Sequence, residues 1–351
     1  MTTTNFENKK ATESDIQISS PQLNNDIISL SIDNIIKQES FDIDNMNKLL
    51  RHQGISQDDK KLLSKMLKNR IDGNKLKIEY YFGNDAKTKQ IGRLYSKMGL
   101  QGLPRNIRAC LAEKYYWDLD MVNAHPSILL HIANGNHWNC SNLAFYVNNR
   151  EDVLKQITEY YECSRDQAKD LMLIMLYLGS PDYEIVNISE ASEKPKLQLL
   201  DLFEQEMKAI AKNVVQSNSE FKKKFDYIAR KKQMQRTIDD TKYNSSFLAY
   251  FIQDLEREIL TFIDGQLIIH HRQMDTYIFD GGLILKLQNE VIFPLELLQL
   301  LQTELKSKFK FDIKLQVKPL QSNIELSNVS EDELINDDFA AETLVRLMSG
   351  K

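Results

Sequence analysis

The sequence predicts an α/β protein with more helix than strand, and three observations lead there. Apolar residues recur at helical spacing through the long stretches 42–70, 150–177 and 195–265. Short apolar runs at Lys75–Phe82, Tyr115–Asp120 and Lys314–Val317 have strand length. A turn signal, Asp280-Gly281-Gly282, interrupts the apolar run Asp275–Leu285 and reads as a β-hairpin.

The chain has 351 residues, enough for about two domains or one large multi-lobed one. Apolar residues at 42% and charged residues at 27% exclude wholesale disorder. No apolar run reaches the roughly 18 residues that span a bilayer, and MTTTNFENKK lacks the apolar core of a secretory signal. Cys110, Cys140 and Cys163 are scattered singly, which excludes a disulfide scaffold and a thiolate zinc site and fits a reducing, intracellular compartment. The net charge is −5, made of −3 over residues 1–40, +3 over 41–320 and −5 over 321–351. A mildly basic middle neither requires nor excludes a nucleic-acid partner.

Residues 1–40, rich in Thr, Asn, Ser and Asp, read as a leader with one short helix at Ile27–Ile36. Ser56 with Asp58 and Asp59 opens a helix whose apolar stripe is Leu62, Leu63, Met66 and Leu67. A short helix holds Arg108. Tyr115–Asp120 is a strand that runs into a helix, with Pro126 where a first helical turn tolerates it. Arg165 and Lys169 stand four apart on one helical face, and Gly179-Ser180-Pro181 stops that helix. Helices follow at Leu197–Ala211, around Arg230-Lys231-Lys232, at Phe247–Phe262 and at Pro294–Phe309. There is no internal repeat.

Two carboxylates stand out by context. Asp120 ends an apolar strand and Asp280 sits at a hairpin tip, so both could converge on one sheet. Paired carboxylates sharing two Mg²⁺ ions, or Mn²⁺ in their place, are what in-line phosphoryl transfer requires. The helix bearing Arg165 and Lys169 would offer cations to a triphosphate. That combination favours a nucleotidyltransferase over a hydrolase. Taken singly, an Asp before a turn is ordinarily a turn former and an Arg/Lys pair ordinarily a solvated face.

The segment from Asp120 through Asn123, His125, Pro126 and Ser127 to Ile128 resembles motif A of template-dependent polymerases. Arg165, Lys169, Leu173 and Tyr177, each four apart, followed by Gly179, are similar to motif B of family A DNA polymerases and phage-type single-subunit RNA polymerases. One extra residue, Leu178, precedes Gly179. Phe279-Asp280-Gly281 resembles motif C, with Phe279 where that family has histidine. Gly92-Arg93 resembles the upstream Gly-Arg element, with Lys89 where Thr or Asp is usual. The full pattern, with Leu103-Pro104-Arg105, is most similar to the transposon–virus polymerase (TV-Pol) group. These are family A-related polymerases fused to helicases in mobile elements and Sputnik-type virophages, and the match covers about residues 90–285.

The resemblance implies a right-hand polymerase with a small antiparallel palm sheet, helical fingers and a reduced thumb. It divides the chain into a disordered leader at 1–40, an N-terminal helical, thumb-like region at 41–89, palm and fingers at 90–320, and an acidic linker at 321–351 towards an absent helicase domain. It assigns Asp120 and Asp280 to the metals and Lys169 to the triphosphate and the leaving pyrophosphate. Arg165, Tyr177 and His125 fall to the nucleotide, with His125 near the 2′-position. Preference between deoxynucleotides and ribonucleotides stays open. Arg93, Arg105 and Arg108 are candidates for template or primer phosphates, and Arg230, Lys231, Lys232 and Arg236 form the densest basic patch. Asp118 shares the strand face of Asp120 and either assists there or pairs with a base. Tyr115, Tyr116 and Trp117 are expected in the core.

The function expected is a DNA polymerase or primase-polymerase with DNA and nucleoside triphosphates as partners, a helicase in the same chain and no membrane partner. It would act in a viral replication site of the host cytoplasm or in the virion, and the fragment would be monomeric. The alternative is an inactive polymerase-fold module that binds nucleic acid and loads a helicase. A metal-dependent nuclease ranks last, because it has no need of the Arg/Lys/Tyr helix. No P-loop occurs, so motor activity is not expected.

Overall fold

A computed structural model of the chain describes residues 35–83, 87, 89–181, 194–234 and 240–326. Two small antiparallel sheets and a majority of helix make up these residues, as the sequence predicts. The first sheet contains β1 (Ile35–Ser40), β2 (Arg70–Asp72), β3 (Lys75–Phe82) and β4 (Leu94–Ser96). Its order is β1-β3-β2, with β4 also on β3. Residues 35–40, read as part of the leader, are therefore a paired strand. The polar alternation of Lys37 and Glu39 hid them, because both side chains are partnered inside the protein rather than solvated. The rest of the expected Ile27–Ile36 helix lies outside the described residues. The region expected to be helical and thumb-like is thus mixed. It adds α1 (Ile43–Arg51) and α2 (Gln57–Lys68) to that sheet, with Asp42 and Ser56 as N-caps accepting from Asn45 and Asp59 backbone N–H groups.

The second sheet has the order β6-β7-β5-β8, from β5 (Tyr116–Met121), β6 (Met274–Ile278), β7 (Gly281–Leu285) and β8 (Leu315–Lys318), all antiparallel. Here the sequence reading of the hairpin needs correction. Ile278 pairs with Gly281, so the turn is Phe279-Asp280, and Gly281 and Gly282 lie within β7. A Cβ on Gly281 would lie 2.1 Å from the Leu119 carbonyl oxygen, and one on Gly282 would lie 2.4 Å from Met274 Sδ. The glycines admit neighbouring strands rather than bend the chain. Phe279 carries the turn's strain, with φ at 51°.

Between β4 and β5 lies α3 (Arg105–Ala112); after β5 come α4 (Ala124–Gly135), α5 (Ser141–Asn148), α6 (Arg150–Tyr161) and α7 (Arg165–Leu176). The expected continuous helix over 150–177 is two helices, because Glu162 takes a left-handed φ of 57° and Ser164 starts α7 with a capping box. Then follow α8 (Gln198–Ser217), α9 (Ser219–Lys231), α10 (Thr241–Ile269) and α11 (Leu295–Phe309). At 29 residues α10 is about 44 Å long. Its buried side chains, among them Phe247, Ile252, Glu256, Ile259, Ile263 and Leu267, keep helical spacing, and it packs on α4, α8, α9, α11 and β6.

A buried polar seam joins the sheets. The Glu39 carboxylate accepts from Leu100 N–H at 2.8 Å and Thr276 Oγ1 at 3.0 Å, Tyr277 N–H donates to Tyr80 Oη at 2.9 Å, and Lys37 pairs with Asp264 at 2.5 Å. Tyr116 donates to Asp275 and accepts from Ser40 N–H, and Trp117 Nε1 donates to Glu290. Tyr116 is buried, as expected of this aromatic run.

Candidate active site

Asp120 and Asp280 meet at one end of the second sheet. Asp120 pairs with Gly281 across β5 and β7, and Met121 N–H donates to the Asp280 carbonyl at 2.9 Å. Burial, then the charges of Asp120 and Glu256, push the Asp280 carboxyl up to about 6. Asp120 accepts from Gln316 Nε2 at 3.0 Å and pairs with Lys318 Nζ at 2.5 Å, both reaching it from β8. Asp118 lies two residues back on the same strand face. Burial raises its pKa, against the pull of Arg108.

The chain reverses from β5 into α4 through Asn123, whose φ of 52° is left-handed, a conformation asparagine tolerates. The Asn123 amide nitrogen is buried with no hydrogen-bond partner among the described residues. This reversal places His125 in the first turn of α4. His125 Nε2 lies 2.7 Å from Glu256 Oε1, and the Tyr177 hydroxyl lies 2.7 Å from His125 Nδ1. Arg93 grips the same carboxylate with a fork, Nε to Oε2 at 2.6 Å and Nη2 to Oε1 at 2.9 Å. Its guanidinium lies 4.6 Å from the centre of the Phe279 ring. Phenylalanine ahead of Asp280 therefore has a local reason, as the platform on which Arg93 stacks.

Two residues of α10 hold this arrangement, and sequence reasoning missed both. Asp254 accepts from Gly92 N–H at 2.8 Å, and Glu256 ties Arg93 to His125. Burial works to raise the Glu256 pKa, but the bonds from His125 and Arg93 outweigh it and hold the pKa below the ordinary carboxylate value. The signal available was the polar run Gln253-Asp254-Leu255-Glu256-Arg257-Glu258 in the middle of an apolar helix. Ser245, also on α10, donates to the Tyr177 carbonyl at 2.5 Å and fixes the end of α7.

The structure does not gather the remaining candidates around the carboxylates. Arg165 is exposed and forks onto Glu151 of α6 at 2.9 and 2.6 Å. Lys169 and Leu173 are exposed on the same stripe of α7, whose far end delivers Tyr177 to His125. The extra Leu178 does not disturb that stripe. It is left-handed, with φ 61°, and closes α7 through Leu178 N–H to Met175 O and Gly179 N–H to Ile174 O. Arg108 donates to the Leu103 carbonyl at 2.9 Å and so holds its own turn, whereas Arg105 is exposed. Arg230, Lys231 and Lys232 are exposed at the end of α9, where cations offset the helix dipole. Lys232 lies over Tyr250, the ring that abuts Gly92, so this patch adjoins the Arg93 loop. Arg236 and the acidic stretch beyond residue 326 lie outside the described residues.

No group of three His, Cys, Asp or Glu side chains able to hold a metal occurs among the described residues. Asp120 and Asp280, whose like charges act on one another, would offer a hard ion two carboxylates, with Lys318 giving up Asp120 and water and phosphate supplying the other ligands.

The fold has a counterpart among solved structures. The POL domain of Pol1 from M. smegmatis, in complex with DNA primer-template and dNTP, superposes with a TM-score of 0.52 at 13% identity, over 75% of this chain and 51% of that one. In fold, the chain is similar to a DNA polymerase domain. By sequence it is 27% identical over 281 residues to the "Putative helicase V13" of Sputnik virophage, covering 79% of this chain. The chain spans about a third of that relative, 34% of its length. No family model matches. Among the described residues, no helix is long and apolar enough to cross a membrane.

Proposed function

We propose that the chain is a template-directed nucleotidyltransferase, a DNA polymerase or primase-polymerase that serves viral or mobile-element replication alongside a helicase. The observation that carries this reading is the meeting of Asp120 and Asp280 beside the Arg93–Glu256–His125–Tyr177 cluster, on a fold similar to a polymerase domain.

In this reading the second sheet is the palm and α7 belongs to the fingers. Asp120 and Asp280 hold Mg²⁺, or Mn²⁺ in its place, which when bound makes a 3′-hydroxyl more acidic and balances charge on the departing pyrophosphate. His125 and Tyr177 take the sugar of the incoming nucleotide. Lys169, without a partner among the described residues on the exposed stripe of α7, receives the triphosphate and supplies a proton to the pyrophosphate; Arg165 binds the outer phosphates once it leaves Glu151. Arg93 and Arg105 hold template or primer, with Arg230, Lys231 and Lys232 further along.

The second reading, a loading module without synthesis, draws on two internal pairings. Arg165 is engaged by Glu151, and Lys318 already neutralises Asp120. Template-directed extension with dNTPs and NTPs separately, with and without primer, decides between them. Synthesis by the wild-type protein that falls by on the order of a thousandfold in Asp120→Ala and Asp280→Ala supports the polymerase. Template binding without synthesis under every condition supports the loading module.

A further inference from the structure

One carboxylate links the residue expected to sense the sugar with the one expected to hold template or primer. Glu256 Oε1 lies 2.7 Å from His125 Nε2, and Arg93 fills the rest of the carboxylate through Nε and Nη2. The Glu256 side chain is fully buried, and those of Arg93 and His125 are 21% and 12% exposed. A carboxylate has no proton to offer, so the contact requires hydrogen on Nε2. Arg93 Nη2 also lies 3.1 Å from Nε2, but it has only protons to give and donates to Glu256 instead. With Nε2 protonated, a neutral His125 has its lone pair on Nδ1, and the Tyr177 hydroxyl, 2.7 Å away, donates to it. The phenol oxygen then keeps its lone pairs for a ligand and has no proton to give.

We propose that Glu256 is a positioning residue that sets sugar selectivity: it fixes His125 in the Nε2–H form, turns Tyr177 into an acceptor towards the nucleotide sugar, and couples both to Arg93. This rests on the nucleotidyltransferase reading above. A Tyr177 oxygen held as an acceptor favours a sugar hydroxyl that donates. Loss of the carboxylate frees the imidazole to take its other tautomer, so that Tyr177 can donate instead. In Glu256→Gln the amide oxygen can still accept from Arg93, but its NH₂ opposes whichever donor it faces. The polar signal comes from a helix that carries no recognised motif, and the role belongs to position 256 through its contacts alone.

The test uses the full chain with primer–template DNA. Imidazole ¹⁵N shifts of His125, assigned through His125→Ala, report the tautomer in the wild-type protein. Equilibrium titration with dATP and with ATP in Ca²⁺ gives the ratio of affinities without turnover. The expected result is an Nε2–H imidazole in the wild type and a dATP/ATP ratio that moves by about tenfold in Glu256→Gln. That movement should vanish in a His125→Ala background, because Glu256 acts through the imidazole. An Nδ1–H imidazole in the wild type would overturn the proposal whether or not any variant folds. So would a folded Glu256→Gln protein with an unchanged ratio, or one whose ratio moves equally without His125; either leaves Glu256 a packing residue and the nucleotidyltransferase reading intact. Wild-type protein that binds neither triphosphate overturns that reading itself, and the selectivity role with it.

Discussion

Leu178 shows how a single residue can depart from a motif while the helical stripe beside it keeps its register. It sits one position beyond the helix cap Tyr177, in the left-handed region that costs an L-residue about 1–2 kcal/mol. The two hydrogen bonds that close α7 need that conformation, so the strain is local and the stripe from Arg165 to Tyr177 keeps its register. Leu178→Gly should stabilise the protein by about 0.5–1 kcal/mol, part of the relief being lost to a freer unfolded chain. Leu178→Ile, β-branched at the same φ, should do the opposite. Urea denaturation midpoints at constant m-value decide this, and a midpoint lowered by the glycine would contradict the account. Phe279 is a second such residue, since its ring supports Arg93 while its backbone bends the turn that presents Asp280.

At the scale of elements, the site depends on how closely β5 and β7 approach. Gly281 faces Asp120 across the ladder, and no side chain fits between the Gly281 Cα and the Leu119 carbonyl. Gly281→Ala is therefore expected to force the strands apart at the point where the carboxylates meet, at a cost of roughly 3 kcal/mol. A drop in thermal midpoint together with loss of synthesis beyond that explained by unfolding is the expected outcome. A variant with wild-type stability and activity would show that the ladder tolerates the methyl. The long helix α10 is the other decisive element. Through Asp254, Glu256 and Ser245 it fixes the Arg93 loop, His125 and the end of α7 at once.

Across the whole molecule, the seam between the two sheets carries carboxylates whose protonation is linked to stability. Burial, above all, raises Glu39 to about 8, and its bonds to Leu100 and Thr276 offset only part of that. A carboxyl whose folded pKa lies above its unfolded value binds its proton more tightly in the native state. Its contribution is complete below the unfolded value of 4.5 and is lost as pH rises through about 8. Asp275, raised to about 6 mainly by burial, adds a slope at lower pH, so the Glu39 effect is read between about 6 and 8. Stability should fall over that interval in the wild type and stay flatter in Glu39→Gln, with the variant the more stable at the alkaline end. Equal slopes in the two proteins, by calorimetry at several pH values, would place the proton elsewhere.

Much of the fold was accessible in the sequence because it is written in local periodicity and caps. Ser56 starts α2, Lys75–Phe82 is β3, and Asp120 near the end of β5 and Asp280 in the turn before β7 lie at one end of the sheet because apolar runs of strand length lead into turn residues. The expectation that those two carboxylates hold a metal came from residue type and position on the strand. The sequence could not disclose which polar residues are internal. Lys37 and Glu39 read as part of a solvated leader, whereas α10 supplies Asp264 and the second sheet supplies Thr276, and nothing local to Glu256 shows that the Arg93 loop and α4 close over it. Partners for these groups come from segments 61 to 237 residues away, so no local window contains the information that a charge is buried. Arg108 and Arg165 illustrate the converse: their chemistry suits phosphate, and only the packed molecule shows one tied to Leu103 and the other to Glu151. Local sequence sets the elements and their termini, whereas the burial and pairing of a charge depend on what long-range packing brings to it.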